Sequence, residues 1–367
     1  MSVLVGLLGA VIVVGTLVEL FETIVLPRRV TRRFRMVRLL YRGLRVPTYR
    51  LGQAFPRRRE AILAVFGPLA LTVVLVSWVA SIIAGFAFLQ WSIGSDLSTG
   101  GQAHMGLGDD LYFSATTFLT LGLGDIAPRG GAARALTALE AAGGFGVLAL
   151  VIGYLPTLYQ AFARRETAVS LLDARAGSPP SAVELVRRYA RDGAWEELIA
   201  YLKDWESWAA DLMESHLSYP MLSYFRSQHD NQNWLAALTT ILDTCALLIA
   251  GFPQKQHRAV KLTFALCRHF AVDLSQVLFA PPLPPVPERL TELDLARLRT
   301  ILAESGLTLP DEEVLLPHLS ALRESYEPYV GALADRLMVA LPTWLPPDTL
   351  TDDWRSTAWD PRGRVLL

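Results

Sequence analysis

The sequence predicts an all-α membrane protein in its first half and an all-α cytosolic helical domain in its second. Three observations predict this. Apolar residues make up 52% of the 367-residue chain and charged residues only 19%, a richer apolar share than soluble domains carry. Three apolar runs before residue 164 are each long enough to cross a bilayer. After residue 163 the apolar positions recur at helical spacing between breakers.

The first run, 1–27, carries only Glu19 and Glu22 as charges and reads as an N-terminal transmembrane helix. A cleaved signal peptide is the competing reading, but the run lacks a basic start and a small-residue cleavage site. Residues 28–59, from Arg28 to Arg59, then hold twelve arginines and no acidic residue, the bias of a cytoplasmic flank. That places the N-terminus outside. Arg35, Arg38, Arg42 and Arg45 recur at helical spacing among leucines, so 28–60 is expected to form a basic amphipathic segment on the inner leaflet, with anionic lipid as its partner. Arginine runs also bind nucleic acid; flanked by spans, this one is read as a topology signal, and no nucleic acid is expected as a partner.

The second span covers 61–91, with Pro68 as a bend and Trp91 as an interfacial anchor. The third, 132–163, ends at Arg164 and Arg165 and so returns to the cytoplasm. Between them lie Asp96, Asp109, Asp110 and Asp125 against Arg129 alone, an external charge balance. The expected placement is multi-pass in the plasma (cytoplasmic) membrane, with the second half of the chain in the cytosol.

The intervening loop holds a short helix-like stretch, 109–119, and then Thr120-Leu121-Gly122-Leu123-Gly124-Asp125. A Gly-x-Gly turn also occurs in nucleotide loops, but here there is no third glycine and no preceding strand. The stretch resembles the re-entrant pore loop of the potassium-channel superfamily, whose usual filter reads Thr-Val-Gly-Tyr-Gly-Asp. Leucine in place of that tyrosine is similar to filters of some two-pore-domain and bacterial relatives.

The resemblance implies a pore domain over 61–163, with outer helix 61–91, pore helix 109–119, filter 120–125 and inner helix 132–163. Backbone carbonyls of Thr120, Leu121, Gly122 and Leu123, with the Thr120 hydroxyl, would replace the water shell of a potassium ion. Gly122 and Gly124 are the enabling residues, because glycine accepts the left-handed backbone angles that such carbonyl stacking requires. Asp125 would sit at the outer mouth, and Asp109 or Asp110 would cap the pore helix. Leu123 lacks the tyrosine hydroxyl that braces the usual filter, so potassium is expected to be preferred less sharply over sodium.

On the inner helix Gly144 matches the hinge glycine of the superfamily, although glycine clusters in membrane helices also serve close packing. Leu148, Ile152 and Pro156 share a face at i, i+4 spacing and are expected to line the cavity and gate. Glu140, one turn before Gly144, is read as support behind the filter through Thr116 or Thr117, or else as a satisfied structural carboxyl. One pore loop per chain implies a homotetramer. No cofactor is expected beyond potassium ions in the filter.

The second half opens with a linker, 164–181, containing Gly177-Ser178-Pro179-Pro180, and a helical domain, 182–367. Ser181 is a helix cap and Asp192-Gly193 a stop. Helices are expected at 195–218, 233–250, 255–273, 288–305 and 312–340, with a proline-rich connector at 281–287, as a compact bundle; a solenoid of helical pairs is the second choice. The apolar run 235–252 is short for a span and carries Asp243, so it is expected to be a buried helix of this domain. Cys245 and Cys267 are too few for a disulfide framework, and with His257 and His269 they match no zinc spacing. No catalytic constellation is present, so an enzyme is not expected. The function implied is a tetrameric, potassium-preferring cation channel modulated by its helical domain; the alternatives are a weakly selective channel or a non-conducting membrane scaffold.

Overall fold

The computed structural model describes residues 2–26, 36–98, 106–228, 232–255, 257–284 and 288–346. Residues 28–35 of the basic stretch, 285–287 of the proline connector and the last 21 residues therefore lie outside the described part. The chain is all-α in architecture and divides into two compact units, 1–159 and 160–367.

In the first unit α1 (Ser2–Leu20) runs into one π-helical turn and is followed by α2 (Met36–Ala54) and α3 (Arg59–Ser92). Helix α1 lies against α3 where two glycines meet: a Cβ on Gly85 would come within 2.6 Å of Val13, and one on Gly9 within 2.6 Å of the Gly85 carbonyl. Such small-residue crossings are how apolar helices approach closely in lipid, where burying greasy surface gains little. Val3, Leu4, Leu7, Val11 and Val14 face outward on α1, as a lipid-facing surface requires. The shared core is Val13, Leu20, Val74, Trp78, Ile82, Phe86, Phe118 and Val147.

Helix α2 packs on the start of α3 through Tyr41, edge-on to Phe66 at 5.9 Å between ring centres. The Glu19 carboxylate accepts from the backbone N–H of Val37 at 2.8 Å, satisfying one of the orphan donors that open α2.

After α3, a two-residue strand β1 (Leu97–Ser98) pairs antiparallel with β2 (Ala127–Pro128), Leu97 opposite Pro128 and Ser98 opposite Ala127. Between the strands lies α4 (Leu107–Phe118), and after them α5 (Gly131–Ala176). Helix α5 continues through Pro156 and well past residue 163, so residues 164–176, expected as linker, are helical. The reason is a second buried stripe: Arg165, Val169, Leu172 and Ala176 are all buried at the spacing of one helix face. Only 177–181 breaks the helix.

The second unit contains the end of α5 and then α6 (Ala182–Arg191), α7 (Trp195–Ser218), α8 (Trp234–Gly251), α9 (Arg258–Val277), α10 (Glu292–Glu304), α11 (Glu312–Glu324) and α12 (Glu327–Leu337). Caps start several of them: Ser181 accepts from Glu184 N–H, Asn233 from Ala236 N–H at 2.7 Å, and Thr291 forms a reciprocal box with Asp294. The single helix expected over 312–340 is two. Pro328 lies in the first turn of α12, and proline lacks the N–H and its ring clashes with the carbonyl four residues back, so one helix cannot run through and the chain breaks at Ser325 and Tyr326.

Helix α8 is one of four described helices long and apolar enough to cross a membrane, yet 94% of it is buried inside its own unit. Its one charge, Asp243, accepts from the Tyr326 hydroxyl at 2.5 Å and from both terminal nitrogens of Arg289. Arg289 in turn donates to the Pro342 carbonyl at 2.9 Å and to Glu327 at 3.2 Å. A buried carboxylate survives only with such pairing. Cys245 and Cys267 are likewise buried, and burial pushes the Cys267 thiol up to about 12. His257 and His269 stand beside Glu196 and Asp273 instead.

Candidate functional site

Helix α4 is placed by its acidic first turn. Asp109 accepts from the Gly106 N–H at 2.9 Å, while Asp110 is fully buried and accepts from the Ser95 hydroxyl at 2.6 Å. Of the two capping candidates, Asp109 closes the N-terminus and Asp110 ties α4 to the end of α3.

At the other end the backbone folds back on the helix it leaves. Thr120 N–H donates to the Thr117 carbonyl at 3.0 Å, and Leu121 and Gly122 N–H both donate to the Thr116 carbonyl, at 2.8 and 3.3 Å. These bonds consume carbonyls that an α-helix leaves orphaned. From there φ is positive at Thr120 (57°), Gly122 (56°) and Gly124 (80°), with Leu121 and Leu123 between them on the ordinary side. Alternation of hand turns successive carbonyls toward one side, the arrangement that lets main-chain oxygens ligate a cation. At the glycines this costs little. At Thr120, β-branched, the left-handed conformation costs on the order of 1–3 kcal/mol. Sequence reasoning did not anticipate it, because nothing in a threonine announces a positive φ.

Residues 121–125 are exposed in the single chain, Leu121 at 59% and Leu123 at 63%. Two ties hold the segment. The Tyr112 hydroxyl donates to Asp125 at 2.9 Å, so α4 braces the far end of the segment through a residue that the sequence reading had passed over. The β1–β2 pairing fixes the strand that follows, helped by Arg129 N–H to the Asp96 carbonyl at 2.9 Å and the Arg129 guanidinium to Ser98 at 2.9 Å.

Helix α5 backs α4 over one turn. A Cβ on Gly144 would lie 2.2 Å from the Phe118 carbonyl oxygen, and one turn earlier on both helices Glu140 meets the Ser114 hydroxyl. Glu140 thus reaches the pore helix, but through Ser114 rather than Thr116 or Thr117. The Thr116 hydroxyl turns back to the Phe113 carbonyl at 3.0 Å, and Thr117 contributes its carbonyl to the turn. Gly144 is buried against Phe118, whereas Leu148, Ile152 and Pro156 lie together on the exposed face of α5.

Comparison with known proteins agrees with this geometry. Residues 70–161 match a family model described as ion channel. The chain is 22% identical over 274 residues to YdjJ of Bacillus subtilis (strain 168), described as an uncharacterized membrane protein; the match covers 74% of this chain and 78% of that relative. No solved structure matches. Residues 70–161, which hold α4 and the glycine-bearing segment behind it, are thus similar to an ion-channel domain within an all-α membrane protein.

Proposed function

We propose that the chain is one subunit of a homotetrameric channel in the plasma membrane that passes potassium in preference to sodium. Four copies of 120–124 surround the axis, and the carbonyls of Thr120, Leu121, Gly122 and Leu123, with the Thr120 hydroxyl, take the place of the ion's water shell. One observation carries this reading: φ alternates in sign along Thr120, Leu121, Gly122, Leu123 and Gly124 at the end of a helix held between two spans. One such segment per chain requires four chains around an axis.

Asp125 draws cations to the outer mouth, while Leu148, Ile152 and Pro156 line the cavity below. The N-terminus lies outside and the second unit in the cytosol, where the exposed Arg42 and Arg50 of α2 meet anionic lipid. The second unit modulates opening through α5, which begins in the pore domain and ends in the helical bundle. There Arg165, buried, donates to the carbonyls of Leu222 at 2.9 Å and Phe225 at 2.8 Å. The motion of one long helix would thus be felt at both ends.

The experiment is reconstitution of the full chain in bilayers under opposed potassium and sodium gradients. The expected result is a reversal potential displaced toward the potassium equilibrium value, with opening altered by truncation after Arg165. Equal permeability favours the weakly selective channel, a reading that the exposed, hydroxyl-free Leu123 supports. No current at all favours a non-conducting scaffold.

A further inference from the structure

Behind the pore helix the hydrogen-bond valences do not close unless one group changes role. Ser114 is fully buried, and its hydroxyl lies 2.8 Å from the Ile83 carbonyl of α3 and in contact with Oε1 of Glu140 on α5. A serine hydroxyl carries one proton, and a peptide carbonyl only accepts. The contact with Ile83 therefore uses the serine proton, and the contact with Glu140 needs a proton from the carboxyl.

The opposite assignment, serine donating to a carboxylate, leaves a full charge at a fully buried position. Among the described residues no lysine, arginine or histidine pairs with Glu140, and its Oε2 has no hydrogen-bond partner. An unpaired buried charge is costly in protein and more so at membrane depth. A second polar tie flanks the first without supplying a cation: the Gln90 amide of α3 reaches the Ala133 carbonyl and the Thr137 hydroxyl of α5, both at 3.4 Å.

We infer that Glu140 acts as a hydrogen-bond donor, a carboxylic acid that donates to Ser114, which donates to the Ile83 carbonyl. This directed chain of two bonds runs from α5 through α4 to α3 and sets the depth at which the filter leaves the pore helix. Glu140 is thereby a positioning residue for ion selection, one turn from the Gly144–Phe118 contact that fixes the same helix. The selectivity part of the inference rests on the pore reading; the donor part does not.

The test uses the full-length protein in proteoliposomes. Infrared difference spectra between wild type and E140Q should show the carbonyl stretch of a protonated carboxylic acid, unchanged across neutral pH and shifted in S114A, where the acceptor is gone. Absence of that band from wild type overturns the donor role, whether or not the protein conducts. In reversal-potential measurements E140Q, whose amide still donates, should keep the potassium-to-sodium ratio within about twofold, while S114A and E140L should lower it at least about threefold with tetramer yield intact. Wild-type ratios in both S114A and E140L overturn the positioning role. A wild type without current would refute the pore reading alone, since the infrared band still decides the state of Glu140.

Discussion

Replacing Gly144 by alanine separates two roles that one glycine can play in a pore helix bundle. The methyl carbon would be placed 2.2 Å from the Phe118 carbonyl oxygen and 3.2 Å from its Cα, whereas ordinary contact begins near 3.4 Å. The oxygen belongs to backbone, so relief requires α4 and α5 to separate by about 1 Å rather than a rotamer change, an overpacking cost of ~1–3 kcal/mol. Phe118 is two residues from Thr120, so the shift is delivered to the start of the proposed ion-binding segment, where carbonyl placement would govern discrimination. A hinge role predicts the reverse sign: alanine favours helix over glycine by up to about 1 kcal/mol, so stability would rise while only opening changed. Thermal unfolding of the full chain in detergent, together with the potassium-to-sodium permeability ratio, distinguishes them. Gly143→Ala and Gly146→Ala are the controls, since their added carbons meet nothing within 4 Å in the chain. If G144A unfolds at or above the wild-type temperature with an unchanged ratio, the packing argument is wrong.

Other substitutions probe the remaining contacts. Tyr112→Phe removes the hydroxyl that holds Asp125 and should reduce the permeability ratio a few-fold with assembly unaffected; an unchanged ratio would show that the outer end is held elsewhere. Asp243→Ala leaves the Tyr326 hydroxyl buried without its acceptor and Arg289 with only Glu327 and the Pro342 carbonyl and should cost about 3–5 kcal/mol in urea unfolding of the second unit, whereas a loss below about 1 kcal/mol would contradict the pairing. His216 is enclosed by Arg165, Ser215 and the rings of Trp234 and Phe270; burial, aided by the Arg165 charge, holds its imidazole well below the usual range. Because the folded form resists the proton that the unfolded chain takes up, its contribution is complete above pH ~6.5 and is lost as pH falls, by up to ~1.4 kcal/mol per unit. His216→Phe should flatten this slope in unfolding measurements between pH 7 and 5, and an equal slope in both proteins would assign the acid sensitivity to another group.

Much of the molecule is legible in one dimension because its determinants are local. Length and apolarity make 1–27, 61–91 and 132–163 long enough to span a bilayer, twelve arginines after the first of them set the expected orientation, and Gly122 with Gly124 permits the left-handed backbone of the filter-like segment. The serine cap Ser181 announces the start of α6 in the same way.

What the tertiary structure alone decided are partners brought together from distant parts of the chain. That Glu140 meets Ser114, that Tyr112 reaches Asp125, that Gly144 makes room for the Phe118 carbonyl, and that α5 runs on to Ala176 because a second unit covers its buried stripe all depend on how helices cross. Helical period reports which residues share a face. It does not report what that face meets, because the rotation of one helix about its axis is set by the side chains of the other.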